Sequence, residues 1–179
     1  MEFKQVKEAE MTPGTDQKIR ENLCKCFPDS KDVFSQTRKW HGSGPAWTVF
    51  ILEDADIIAH VGIVDRIIRV GDAKFHIAGI QNVFVLPEQR GKGICEKIME
   101  DSMKKAAISG YDFGLLFCVP KLEKVYAKTG WIKISERETV RIDENGNETG
   151  IPGKNIAMFY PIKIDKFPPG NIHLQGNDW

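Results

Sequence analysis

From Ala46 onward apolar residues gather into three successive runs, AWTVFILED, DIIAHVGIVDRIIRV and KFHIAGIQNVFVL, rich in β-branched and aromatic side chains. Gly71 and Asp72 form a turn between the second and third, so three consecutive antiparallel strands are expected. Before them, a short strand is expected at Phe3 to Val6. A helix over TDQKIRENLCKCF follows, with Thr15 or Asp16 as its cap and Ile19, Leu23 and Phe27 on one face. The segment PDSKDVFSQTRKWHGSGPAW reads as a weakly patterned helix around Lys31 to Arg38 and then a loop of the kind that holds substrates.

The third strand runs into EQRGKGI and then into ICEKIMEDSMKKAAISG. There Ile94, Ile98, Met99, Met103, Ala106 and Ala107 share a helical face, and Glu100–Lys104 and Asp101–Lys105 are favourable pairs on the solvent side. FGLLFCV is a continuous apolar run, expected of a strand covered on both faces. PKLEKVYAKTG is a helix started by Pro120 and stopped by Gly130. WIKI is a further strand. A strand at Glu138 to Ile142, an ENGN turn, a Gly- and Pro-containing loop, the strand NIAMFYPIKI and a Pro-Pro-Gly tail complete the chain. No internal repeat interrupts this order, so residues 1–179 are expected to form a single α/β (α+β) domain.

Composition narrows the function. Hydrophobic residues make up 41% and charged residues 28%, enough for one buried core. The 25 Lys+Arg are balanced by 25 Asp+Glu, which disfavours nucleic acid as a partner. The apolar stretch TVFILEDADIIAHVGIV is cut by Glu53, Asp54 and Asp56, so no membrane span is expected. The opening MEFKQVKEAEM lacks the apolar centre of a secretory signal, and a cytoplasmic location is expected. Four cysteines, Cys24, Cys26, Cys95 and Cys118, are too few for a disulfide framework and are expected reduced. Cys24 and Cys26 diverge on a helix and no second close pair completes a tetrahedron, so no metal site is expected.

The chemistry concentrates in VFVLPEQRGKGICEKIM, a strand, a glycine-bearing turn and a helix. Gly91 and Gly93 let a ligand approach the backbone, and the first amides of the helix point at it with the positive end of the dipole behind them. Such a turn suits phosphate. The G-x-G-x-x-G spacing fails at Glu96 and no G-K-[ST] follows, which excludes a dinucleotide fingerprint and a P-loop. A turn with glycines for packing alone is the alternative.

With RGKGIC at Arg90 to Cys95 and YAKTGW at Tyr126 to Trp131, the sequence resembles the GNAT superfamily of N-acetyltransferases, whose loop reads [QR]-x-x-G-x-[GA] and whose later helix often carries Y-x-x-x-G-[FW]. The likeness spans Ala46 to Trp131, with Cys95 departing from the final Gly or Ala. Aminoglycoside 2'-N-acetyltransferases are similar in IIAHVGIVDR, in Gly79 to Asn82, in LEKVYAKTGW and in the ending Gly176-Asn177-Asp178-Trp179. Nodulation N-acyltransferases are similar in KWHGSGP, AHVGIVDRIIRVGD and FPPGNI. Both acylate the 2-amino group of an amino sugar.

The resemblance implies a mixed, mostly antiparallel twisted sheet of about six to seven strands, flanked by helices and splayed between its central strands. Residues 138–179 complete the sheet and the acceptor site. Acetyl-CoA is the implied co-substrate, its pantetheine along Val83, Phe84 and Val85 and its pyrophosphate on Arg90, Gly91, Lys92, Gly93, Ile94 and Cys95. Tyr126 is the implied proton donor to the leaving thiolate, since a phenol holds its proton at neutral pH. Asn82 stands where the aminoglycoside enzymes carry a glutamate base; it can orient water but cannot take the proton. Asp29, Asp32, His41, His76 and Asp178 remain open as bases, whereas His60, inside an alternating strand, reads as a hydrogen-bonded sheet histidine. Asp178, Trp179 with its α-carboxylate, and Asp32 are the expected acceptor contacts. Phe34, Trp40 and Trp47 are read as core or as stacking faces for a sugar.

The expected function is therefore acetyl transfer from acetyl-CoA to a primary amine of a small acceptor, an amino sugar or aminoglycoside. A longer acyl donor, on coenzyme A or a carrier protein, and a non-catalytic module that binds coenzyme A or a polycation are the alternatives. A homodimer stays open.

Overall fold

A computed structural model of the chain describes residues 1–151 and 153–179; Pro152, in the expected Gly- and Pro-containing loop, lies outside them. The opening strand is β1 (Glu2–Lys7), and the first helix, α1, covers Pro13–Cys26. Its cap is Thr12, whose hydroxyl accepts from the Thr15 amide at 3.2 Å, three residues ahead of the expected cap. Pro13 explains the shift, because its fixed φ and missing N–H suit the first helical position. Helix α2 is shorter than expected, Lys31–Phe34.

The three apolar runs form β2 (Trp47–Glu53), β3 (Asp56–Val70) and β4 (Ala73–Val85), antiparallel as expected. Helix α3 (Ile94–Ile108) returns the chain, and β5 (Phe113–Cys118) joins β4 in parallel. The PKLEKVYAKTG segment divides into a 3-10 turn at Pro120–Leu122 and a short α4 (Glu123–Ala127). Short strands follow: β6 (Ile132–Lys133), β7 (Thr139–Ile142), β8 (Glu148–Gly150), β9 (Ile156–Pro161) and β10 (Ile172–His173).

The sheet runs β6-β9-β5-β4-β3-β10-β7-β8, with β2 and then β1 also stacked on β3. Among the described residues its ten strands exceed the six to seven expected, β6, β8 and β10 being only two or three residues long. β3 makes this possible: its first half pairs with β2, and Arg69 and Val70 at its far end pair with β10.

One face of the sheet is covered by α1 and α3, through Ile19, Leu23, Ile94, Ile98, Met99, Met103 and Ala106. The other face carries a second cluster, with Ile77, Phe113, Leu115, Phe159, Ile172, Leu174 and Trp179. Fully burying an aliphatic side chain of this kind contributes about 1.5–3 kcal/mol, so both faces hold the sheet.

Arg38 fixes the loop before β2. Its buried guanidinium reaches Asp16 Oδ1 at 2.6 Å, Glu8 Oε2 at 2.7 Å and Thr48 Oγ1 at 3.0 Å, tying together the opening segment, α1 and β2. Burial pushes the Asp16 carboxyl up, but hydrogen bonds from Arg38 and Arg20 outweigh it and hold the group below its ordinary value. Among the described residues no helix is long and apolar enough to cross a membrane.

Candidate active site

The pairing of β4 with β5 ends at Ile80 and Leu116. Beyond it β5 continues beside β9 as far as Cys118, while β4 continues beside β3 as far as Val85. The two strands therefore part, leaving the β5-facing edge of β4 open from Gln81 onward. The expected splay is present.

A bulge marks the start of the opening. His60 faces Phe84 and Gly62 faces Gln81, so Asn82 and Val83 together oppose the single residue Val61. Asn82 has φ 53, a left-handed conformation that asparagine tolerates better than other residues with a Cβ. Its side-chain Nδ2 donates to Arg38 O at 2.7 Å, and its main-chain carbonyl accepts from His60 Nδ1 at 2.8 Å. Asn82 thus shapes the strand and ties it to the Arg38 loop. His60 is completely buried and stacked on Phe84, with Nε2 lacking a protein partner, and burial holds its pKa down to about 3. The Asn82 carbonyl opposes that shift and Arg38 adds to it. Neutral His60 is a sheet histidine, as its alternating strand predicts.

After β4, a 3-10 turn at Pro87–Gln89 leads to Gly91 and Gly93, with φ 77 and φ 72. Gly93 caps the 15-residue α3 without any side-chain hydrogen bond, so the first-turn amides stay uncapped by a side chain and present the positive helix end. A Cβ at Gly91 or Gly93 would meet nothing within 4 Å, so the glycines serve the left-handed backbone and leave open space above it. Arg90 folds its side chain back, Nε donating to Val85 O at 3.1 Å, and Lys92 Nζ donates to Gln89 Oε1 at 2.9 Å. Cys95 is half-buried, and burial followed by the neighbouring Glu96 pushes its thiol up. This cradle and the open β4 edge fit a diphosphate carrying an extended pantetheine arm.

Tyr126 lies on α4, buried beside Trp131, with ring centroids 6.4 Å apart and near edge-on. Burial pushes its phenol well above the ordinary value, and charge on Cys95 or Cys118 would push it further. Those two neighbours place the phenol between the first turn of α3 and the end of β5. Burial also raises the Cys118 thiol to about 11, with Glu123 adding to the shift.

On the opposite side of the opening the tail covers β4. The Trp179 indole lies on Gly79, beside Phe117 at 5.6 Å and under the Arg66 guanidinium at 5.1 Å. A Cβ on Gly79 would sit 2.5 Å from Trp179 Cε2, so only glycine admits the ring. Gly79→Ala is expected to destabilise the protein by about 1–3 kcal/mol through overpacking. Thermal melting with tryptophan fluorescence checks this: the fluorescence should report a displaced indole.

Asp178 is buried next to it, with Oδ1 at 2.8 Å from both His41 Nδ1 and Arg141 Nη1. Arg66 donates to Asn177 O and, at 2.9 Å, to Ser43 Oγ; Gln81 Nε2 donates to Ser43 O at 3.1 Å. Arg66, Arg141, Ser43 and Gln81 were not expected here. No local spacing announces them, because the partners lie far apart in sequence.

The other expected contacts are placed elsewhere. Asp32 is exposed on α2, its carbonyl accepting from Ser35 and Gln36, and Asp29 is exposed on the preceding turn. His76 pairs with Asp65 at 2.7 Å, six residues and about 20 Å along β4 from Asn82. Phe34 is in the core, and the Trp47 face is covered by Lys105 Nζ at 3.4 Å. Trp40 stacks on Phe34 at 5.5 Å and lies tilted against His41 at 4.6 Å. A cleft of about 920 Å³ opens beside Phe117, with Ile134, Ile151, Ile156 and Ala157 among its apolar walls. Among the described residues no group of three or more His, Cys, Asp or Glu side chains is placed to hold a metal ion.

Comparison with known proteins agrees with this geometry. The chain is 22% identical over 121 residues to an aminoglycoside 2'-N-acetyltransferase of Mycolicibacterium fortuitum, a match covering 68% of this chain and 62% of that protein. It is 25% identical over 148 residues to nodulation protein A of a Mesorhizobium species, covering 78% and 75%. Escherichia coli ElaA shares the fold with a TM-score of 0.65 at 16% identity, over 89% of this chain and 98% of that one. A Brucella melitensis GNAT acetyltransferase, solved in complex with acetyl-CoA, does so with a TM-score of 0.60 at 15% identity, over 96% and 94%. Residues 7–134 match the acetyltransferase (GNAT) domain family, and with the parted strands and the uncapped glycine turn in place, the chain belongs to that family.

Proposed function

We propose that the protein is an acetyl-CoA-dependent N-acetyltransferase that acylates a primary amine of a small acceptor, an amino sugar or aminoglycoside, by direct attack. The observation that carries this reading is the conjunction at one opening of a free β4 edge, the uncapped α3 N-terminus and a buried phenol. The loop Arg90 to Cys95 holds the diphosphate of acetyl-CoA, on the amides from Gly91 onward since the Arg90 amide donates to Pro87 O at 3.3 Å, and Val83 to Val85 take its pantetheine as an added strand. The bulge aims a peptide N–H of Val83 or Phe84 at the thioester oxygen, where negative charge develops as the amine attacks. A C–N bond forms and the C–S bond breaks. Tyr126 donates its proton to the departing sulfur and is reprotonated by the proton released from the acylated nitrogen, so no free phenolate accumulates. Asp178 and Trp179 form the acceptor wall.

The similarity to a protein named as an aminoglycoside 2'-N-acetyltransferase, and an acceptor wall bearing a carboxylate and an indole, support the amino-sugar class. A longer acyl donor is the second reading, favoured by the cleft beside Phe117, where Ile134, Ile151, Ile156 and Ala157 form an apolar wall facing a charged rim. An acetyl-CoA thiol-release screen across amino sugars and aminoglycosides, run beside polyamines and peptides, tests the first reading. Amine-dependent release led by the amino sugars is expected. Release no faster than acetyl-CoA hydrolysis for every amine overturns it, and preference for a longer acyl donor selects the second.

A further inference from the structure

Resting on the transfer reading above, we infer that His41, held by Asp178, is the general base that strips the proton from the incoming ammonium group. Asn82 cannot accept that proton, and the loop that hangs on Asn82 carries a group that can. The Arg38 carbonyl at one end of this loop is bonded by Asn82, and the Ser43 carbonyl at the other end by the adjacent Gln81. His41 lies between these two anchors. It is three residues from one and two from the other, within about 10 Å and 7 Å of chain. Both anchors are on the stretch of β4 where it leaves β5.

The histidine is built into position. Ser43 N bonds Trp40 O at 2.8 Å across a tight turn whose central residues, His41 and Gly42, have φ 43 and φ 79. A β-carbon residue at such a φ is strained, and the surroundings must impose it. The imidazole packs against Trp40 with ring centroids 4.6 Å apart and planes tilted by 33°, and its Nδ1 donates to Asp178 Oδ1 at 2.8 Å. A carboxylate only accepts, so Nδ1 carries the hydrogen and the lone pair is on Nε2, on a side chain 36% exposed. The charged groups around the pair are Asp178 itself and Arg141 on β7, with Arg66 on β3 reaching Ser43 and Asn177, and Lys39 beside it in the loop. Asp178 is a positioning residue: it fixes the tautomer and stabilises the imidazolium once formed.

Protons balance. An ammonium gives one proton to Nε2, which passes it to solvent. The neutral amine then attacks, and its second displaced proton ends on coenzyme A sulfur through Tyr126.

The test is the pH profile of kcat/KM with glucosamine and with kanamycin as acceptors, for wild type, H41N and D178N, with acetyl-CoA Kd measured in parallel. Asparagine accepts the left-handed turn and so preserves the loop while removing the base. H41N is expected to lose about a hundredfold or more at pH 7, to recover as alkaline pH deprotonates the amine itself, and to keep its acetyl-CoA Kd. D178N is expected to lose rate at pH 7 and to recover it at alkaline pH in the same way as H41N, with acetyl-CoA Kd kept, because the amide no longer holds the imidazole in the tautomer that leaves the lone pair on Nε2. Wild-type rates in H41N, or a loss equal at every pH, overturn the assignment while leaving acetyl transfer intact. A wild type that binds acetyl-CoA yet acetylates neither amine overturns the transfer reading, and His41 with it.

Discussion

Tyr126→Phe is expected to cut turnover by on the order of a hundredfold or more while leaving acetyl-CoA affinity little changed. The variant removes one oxygen from a buried ring and keeps its packing against Trp131, so the site retains its shape. What is lost is the proton that meets the sulfur as the C–S bond breaks. Because burial holds the phenol far above its ordinary value, it stays protonated through neutral and mildly alkaline pH, so its ionisation does not set the alkaline limit there. Steady-state kinetics with direct measurement of acetyl-CoA binding decides the matter. Unaltered turnover in the variant would remove Tyr126 from the mechanism, and an equal loss of affinity and rate would make it a wall of the cofactor site.

The second large effect concerns stability. His60 has an ordinary pKa of 6.5 and a folded value near 3, so between these the unfolded chain binds a proton that the folded chain refuses. Stability from this group is therefore complete above pH 6.5 and is lost as pH falls toward 3. At about 1.4 kcal/mol per pH unit, roughly 2 kcal/mol should be gone by pH 5. Asp16 acts in a different window. Its depressed carboxyl contributes above its ordinary value of 3.8 and loses that contribution only below it. Urea unfolding of wild type and His60→Gln at pH 7 and pH 5 separates the two groups. The variant is less stable at pH 7, but the gap should narrow at pH 5, and an unchanged gap would mean that His60 does not carry the decline.

The meander β2 to β4 and helix α3 were legible because alternation and helical spacing run through them uninterrupted. The glycine turn before α3 was legible as well: Gly91 and Gly93 declare a left-handed backbone in the sequence itself. The tail was not. Ile172 and His173 lie in a Pro- and Gly-containing stretch with no alternation, and they become a strand only because β3 is long enough to offer Arg69 and Val70 beyond β2. The His41–Asp178 pair is equally invisible to spacing, since its members are 137 residues apart and meet only when the tail crosses β4. Gly79 shows the same dependence, its lack of a side chain being explained only by the indole lying over it. Asn82 is half-legible: asparagine suits a left-handed strand bulge, but the bulge is visible only in the register.

The insertion of β10 between β3 and β7 gives the two halves of the opening different resistance to transient loosening. One side rests on long neighbouring strands and a 15-residue helix, whereas on the other the tail adds only a two-residue rung, closing a loop of about a hundred residues, to the side-chain contacts of Arg66, Asp178 and Trp179. On the proposed roles, warming is expected to release the tail by sub-global opening before the glycine turn yields, so that acceptor recognition fails while the thioester is still held.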